Sequence, residues 1–450
     1  MYQLIRYLGS SLAAGVCALL PFGSLSAATD PGVRSGAADA GAPLAGMTAA
    51  ELNAFSIATE VFNEADSVNG AVVGEEDAGL GPTFNLNSCA GCHAFPAPGG
   101  TSPRVNPQVA IATAHGAHNT VPSFITINGP VREARFKRNA DGSPDGGVRG
   151  LYVITGRDDA PVGFNLAQTN FESQVAANNI IFRIPTPVFG AGLIEAITDE
   201  TILANQALDP SGKAALGIKG HPNRSGNVGT ITRFGWKAQN ASLFMFAGEA
   251  YNGEQGITND LFPHTRELSG KTFVTAMPES TMDLATDGIG DLEQFAIFMR
   301  LLAAPTPRTP PGVNNGSVAA GSNHFNKIGC AQCHTPSLST GLCSVAALSN
   351  KPVPLYSDLL VHKMGKGLAD DITQGAAGPD EFRTAPLWGV GQRIFFLHDG
   401  RTSDLEQAIL AHASPAAAPY AASEANLVVQ NYLGLNNTQK QNLLEFLRSL

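Results

Sequence analysis

CAGCH at residues 89–93 returns almost unchanged as CAQCH at residues 330–334. In both, two thiols two residues apart are followed at once by histidine. That spacing lets one turn of chain present both sulfurs to the vinyl groups of a single haem and set the histidine under the iron. Cys89, Cys92 and His93 are therefore candidates to hold one covalently bound haem c. Cys330, Cys333 and His334 are candidates for a second, with His93 and His334 as iron ligands. A CxxC pair alone is compatible with a small disulfide or half a zinc site. The adjoining histidine, present twice, selects haem.

The flanks suggest two copies of one small helical module. Phe84-Asn85 precede the first motif and Phe325-Asn326 the second, each placing an aromatic to pack on a porphyrin. MTAAELNAFSIATEVFNEA (47–65) has helical spacing through Leu52, Phe55, Ala58 and Phe62. TQKQNLLEFLRSL (438–450) opens on Thr438 as an N-cap and carries Leu443, Leu444 and Leu447 on one face. No longer internal repeat is visible.

The chain divides around these modules. Residues 1–28 have the pattern of a secretory signal: Arg6, an apolar stretch from Leu8 to Leu20, then small residues from Ser24 to Ala28. The stretch is short for a membrane span and Pro21 interrupts it. The mature protein is thus expected in the periplasm or secreted, without a membrane span. Residues 29–46 are expected to be a flexible N-terminus. Residues 47–304 form a first haem domain enlarged by a large insert, where LYVIT (151–155) and IIFRIPTPVFG (180–190) predict short strands. PTPRTPPGVNNGS (305–317) is a linker, and 318–450 a second haem domain. The predicted fold is mainly α with many loops and short β segments: two cytochrome c-like haem domains with a large insert after the first.

Composition agrees with this division. With 450 residues the chain has room for two or three domains, and 49 glycines with 29 prolines predict much irregular structure. A net charge of −10 leaves nothing to neutralise phosphates, which excludes nucleic acid as a partner, while an acidic surface suits a basic electron donor.

EFRTAPLWGVGQRIFFLHDGRTSDLEQAILAH (381–412) resembles a phrase in the second haem domain of the bacterial di-haem cytochrome c peroxidase superfamily. HKMGKGLADD (362–371), RFGWKAQNASL (233–243) and FGAGLIEAI (189–197) are similar to its di-haem oxidoreductase branch, also called thiol oxidoreductases. The resemblance covers most of residues 80–450. It implies a haem-dependent, peroxidase-like oxidoreductase fed by a small electron-donor protein such as a cytochrome or cupredoxin. Electrons would pass from the C-terminal haem to an open or openable N-terminal haem, where peroxide or another small oxidant reacts. Two alternatives stay open: a di-haem electron carrier without catalysis of its own, and a haem enzyme that oxidises side chains of a partner protein.

The same resemblance nominates residues. Where relatives carry a distal Met on the helix after His-Asp-Gly, this chain has His412, which ends an amphipathic run of Leu405, Ala408 and Ile409. A bis-histidine second haem would have a lowered potential; the competing role for His412 is an ordinary helix-end histidine. His115 and His118 are candidates for a removable ligand to the first haem. Relatives set Gln and Glu over the active haem, which nominates Gln174 (with Glu172 beside it) and Glu195 as catalytic acid/base residues. Trp236 and Trp388 are candidates for an aromatic between the haems, and Asp283, Asp287 and Asp291 for Ca2+, although no EF-hand spacing exists. His398-Asp399-Gly400 is either a turn or, with Arg393 or Arg401, a propionate contact. His362 and Met364 are assigned to packing or hydrogen bonding. Cys343 has no partner for a redox cycle and is assigned as a small half-buried residue.

Overall fold

The computed structural model describes residues 28–117, 119–266 and 288–450. The signal segment, His118, Asp283 and Asp287 lie outside the described residues. Regular structure among the described residues is mainly helical, with short strands and long loops. No helix there is long and apolar enough to cross a membrane.

Two helix pairs organise the chain. Ala49–Asn63 packs on Asp291–Leu301, and Asn315–Ile328 packs on Asn437–Ser449. Each pair is closed by small residues at the crossing. Ala58 is fully buried in the first. In the second, a Cβ on Gly321 would come within 2.0 Å of the Asn442 carbonyl oxygen, so only glycine permits that approach. Capping boxes fix both outer ends, Thr48 with Glu51 and Asn436 with Gln439, so the last helix starts slightly ahead of the expected Thr438.

The pairs belong to a longer repeat that residue identities conceal. Phe298 stacks on Phe62 at 4.1 Å, and Phe446 meets Phe325 at 5.5 Å, edge-on. Gly190 donates its N–H to the Leu302 carbonyl and Gly389 to the Leu450 carbonyl, both at 3.1 Å. Two residues on, a Cβ at Gly192 would strike the Arg300 carbonyl oxygen at 2.0 Å and one at Gly391 the Arg448 carbonyl oxygen at 2.1 Å. Phe234 donates to the Asn240 carbonyl and Phe396 to the Thr402 carbonyl, closing matching loops. Two residues past each loop, Ser242 and Asp404 cap the helices Leu243–Glu254 and Leu405–Leu410.

This repeat revises one correspondence. The counterpart of Phe325-Asn326 is Phe62-Asn63, not Phe84-Asn85. Phe62 lies 6.3 Å from the His93 ring and Phe325 lies 6.4 Å from the His334 ring. Phe84 instead pairs with Tyr152 between the strands Thr83–Phe84 and Tyr152–Val153, in a separate apolar cluster. Residues 64–88 separate Phe62-Asn63 from Cys89, against only 327–329 in the second half, and that length hid the match.

The first half also carries a small antiparallel sheet, with Glu133–Phe136 between Val148–Arg149 and Ile180–Arg183. Alternation along the central strand splits its side chains. Ala134 and Phe136 enter an apolar cluster, while Glu133 and Arg135 face the first cysteine motif together with Arg183, which pairs opposite Glu133.

Candidate functional site

Each motif opens onto a cavity. The first, roughly 1100 Å³ of atom-free space, is lined by Cys89, Cys92 and His93, by Phe62, Phe295 and Met299 from the helix pair, and by the polar sheet face. The second, roughly 1440 Å³, is lined by Cys330, Cys333 and His334, by Phe325, Leu443 and Leu447, and by His412.

Three histidines share one arrangement. His93 Nδ1 donates to the Gly100 carbonyl at 2.9 Å, His334 Nδ1 to the Tyr356 carbonyl at 3.0 Å, and His412 Nδ1 to the Ala408 carbonyl at 2.7 Å. Committing Nδ1–H to a carbonyl leaves the Nε2 lone pair free, the tautomer an iron ligand needs. Burial pulls the pKa of His93 and of His334 down to about 4, the latter with help from His412, and burial lowers His412 too. All three rings are neutral near pH 7. In this respect His412 is unlike a solvated helix-end histidine: its ring lines the same cavity as His334.

Counting from the matched caps, Ala250 stands eight residues after Ser242 as His412 stands eight after Asp404. Phe246, Ala247 and Ala250 line the first cavity; Ala408, Ile409 and His412 line the second. A methyl group thus occupies, in the first half, the place of the His412 imidazole in the second. His115 does not line the first cavity, because its Nε2 pairs with Glu75 at 2.7 Å.

The matched loops put Trp236 and His398 in equivalent places, and the two rings meet edge-on at 6.4 Å. Trp236 lines both cavities and donates Nε1–H to the Ile184 carbonyl at 2.9 Å. Trp388 lines neither; it packs against Gly190 in the main apolar core. His398 stacks on Phe382 at 4.4 Å, and burial lowers its pKa to about 4. The neighbouring Asp399 carboxylate is held by Arg401 at 2.7 Å. His362 lies between Asp358 (3.0 Å) and Glu424 (2.9 Å), 3.7 Å from the Cys333 sulfur. Burial disfavours its charge, but the Cys333 sulfur and the Asp358 carboxylate outweigh that and raise its pKa. Met364 is buried in the wall of the second cavity.

The sequence candidates for acid/base work stand outside the first cavity. Glu195 is taken up by Arg300 at 2.6 Å and by the Leu243 N–H at 2.8 Å. Gln174 accepts from Asn179 Nδ2 at 2.7 Å on the short helix Phe171–Ala176, and Glu172 accepts from Ser123. The carboxyls that do line the cavity are Glu133, Glu249 and Glu254. Glu133 and Glu254 hydrogen-bond to each other. Burial and the neighbouring Glu133 push Glu254 well above the usual carboxyl range, whereas Arg135 overcomes burial to hold Glu133 down near 2. Burial and the shared site therefore favour the protonated form at Glu254 and the ionised form at Glu133. One signal for the pair was in the sequence: EARF (133–136) alternates charged with apolar residues, as a strand facing a polar cavity would.

Of the calcium candidates, Asp291 accepts from the Tyr251 hydroxyl at 2.7 Å. Lys237, fully buried, takes the Gly378 and Glu381 carbonyls and the Asp370 carboxylate at 2.8–3.0 Å. Cys343 is half-buried and its sulfur lies 3.8 Å from the Gly341 carbonyl oxygen.

Comparison with known proteins places this geometry. A family model described as "Di-haem oxidoreductase, putative peroxidase" matches residues 135–450. No curated protein matches. Among solved structures the chain is similar to a MauG-like protein associated with microbial copper homeostasis, at 17% identity over 65% of this chain and 95% of that one, with a TM-score of 0.30. It is also similar to Kuenenia stuttgartiensis hydrazine synthase, at 15% identity over 66% and 97%, with a TM-score of 0.28. The family match spans more than half of the sequence and includes the second motif, Trp236, Glu254 and His412. The chain belongs to the di-haem oxidoreductase family.

Proposed function

We propose that the protein is an exported haem peroxidase with one haem c held through Cys89 and Cys92 and another through Cys330 and Cys333. His93 is the ligand of the first, and His334 with His412 of the second. The donor set supports this fit: paired thiols on a single turn and imidazoles whose Nε2 atoms are free. The observation that carries the catalytic part is Ala250. Where His412 closes one face of the second cavity, a methyl that cannot bind iron leaves the same face of the first cavity open.

A haem held through Cys89, Cys92 and His93 would supply the redox chemistry for cleaving the peroxide O–O bond. Reduction of peroxide to two waters also consumes two protons. The Glu254–Glu133 pair, in which burial favours the protonated form of Glu254, is the general acid in this reading. Trp236, common to both walls, bridges the path from the second haem to the first. A small basic redox protein is the donor that the charge of −10 favours.

The test is turnover of the purified holoprotein with peroxide and a reduced small cytochrome or cupredoxin. The expected result is two c-type haems per chain and donor oxidation at two electrons per peroxide. A di-haem protein inert to peroxide would leave the electron-carrier reading in place. Consumption of peroxide with a mass increase on a partner protein would favour side-chain oxidation instead.

A further inference from the structure

The second cavity carries a charge imbalance that the first lacks. Arg383 and Arg393 line it side by side and are more than nine-tenths buried. Arg383 gives one N–H to the Arg233 carbonyl at 3.0 Å, and its Nε finds no partner. The Arg393 guanidinium makes no hydrogen bond and no ion pair among the described residues; it lies 5.9 Å from the Trp236 ring. Burial pulls both down to about 10, with the two charges opposing each other at Arg383, so both remain cationic near pH 7. Two adjacent buried cations without a counter-charge are strongly unfavourable unless an anion completes them.

The first half shows that this is specific to one cavity. Counted back from Gly190 and Gly389, the counterpart of Arg383 is the apolar Ile184, and Arg183 beside it is already neutralised by Asp370 at 2.7 Å and held by Gln374 at 2.6 Å. Counted from Gly190 and Gly389, the counterpart of Arg393 is Ile194, and the first cavity's other guanidinium, Arg135, is paired with Glu133 at 2.7 Å. The missing anions must therefore come with whatever fills the second cavity.

We propose that Arg383 and Arg393 are a carboxylate seat for the two propionates of the second haem, with that edge turned toward Trp236. The planar donor forks match carboxylates in pairs. The thioether edge then lies at Cys330 and Cys333, and the electron-exit edge lies against the tryptophan that both cavities share. This assignment rests on the second cavity being a haem site.

The test is spectroelectrochemistry and resonance Raman of the holoprotein and its variants. In Arg393→Gln and Arg383→Gln, the loss of a cation favours the ferric form. The low-spin haem's midpoint potential falls and its propionate bending bands shift, while the other haem changes little. Arg393→Lys restores most of the potential, because it restores the charge. Unchanged potential and unchanged propionate bands in both glutamine variants would overturn the seat. A wild-type protein lacking haem at Cys330 and Cys333 would overturn the reading of the cavity itself.

Discussion

The two cavities share a frame and differ in what the frame presents. In each, a helix pair carries a phenylalanine to the motif histidine, a glycine couples the second helix to a loop, and a capped helix lines the far wall. The second wall ends in His412, and arginines without counter-charge lie alongside. The first wall presents Ala250, and a strand adds Glu133 to complete a carboxyl pair with Glu254. The contrast teaches that what distinguishes the cavities lies in the far wall and the inserted strand, because the pentapeptides themselves barely differ; under the proposed function these would separate relay from reaction centre.

The largest effect is expected from transplanting one wall into the other. Ala250→His should give the first haem a second imidazole and abolish both CO binding and peroxide turnover, measured on the reduced and steady-state enzyme respectively. The reverse change, His412→Ala, should open the second haem and raise CO binding from one to two per chain. If Ala250→His leaves ligand binding intact, the matching of the two far walls is wrong.

Glu254→Gln should lower peroxide turnover by about a hundredfold or more while CO binding persists, since it removes a proton donor and leaves the iron accessible. The pH profile carries a sign. Burial and Glu133 raise the Glu254 pKa, so the acid form, and activity with it, is present at low pH and lost as pH rises through that raised value. In Glu254→Gln this limb of the profile should vanish.

The smallest effects separate two matched ion pairs. Arg448, fully buried, is paired with Asp30 at 2.5 Å, while its counterpart Arg300 is paired with Glu195 where both are partly solvated. Asp30→Asn should cost about 3 kcal/mol in chemical denaturation, because it strands a buried cation. Glu195→Gln should cost no more than about 1 kcal/mol. Burial raises the Asp30 pKa but the Arg448 guanidinium outweighs it, leaving it below the usual value. Its contribution is therefore present above the unfolded pKa of 3.8 and is lost as pH falls through the folded one. A flat stability of Asp30→Asn relative to wild type would remove this distinction.

The helical, loop-rich fold, the strands near 151 and 180, and the family were legible in the motifs and in residues 381–412. The inward placement of His412 was legible because a histidine ended an amphipathic run directly after a recognisable turn. The long repeat was not, because it is held by backbone hydrogen bonds and close glycine approaches that tolerate different side chains: Trp236 answers His398, and Ala250 answers His412. Glu254 and Glu133 escaped notice because their meeting requires a helix and a strand more than a hundred residues apart to face one cavity. Glu195 drew notice for its apolar surroundings, yet those surroundings pack helices and leave its carboxylate to Arg300.

The most direct test of the difference between the cavities is EPR of the ferric holoprotein combined with a cyanide titration. The account predicts one high-spin and one low-spin haem, with a single cyanide bound per chain. Two low-spin haems and no cyanide binding would contradict it.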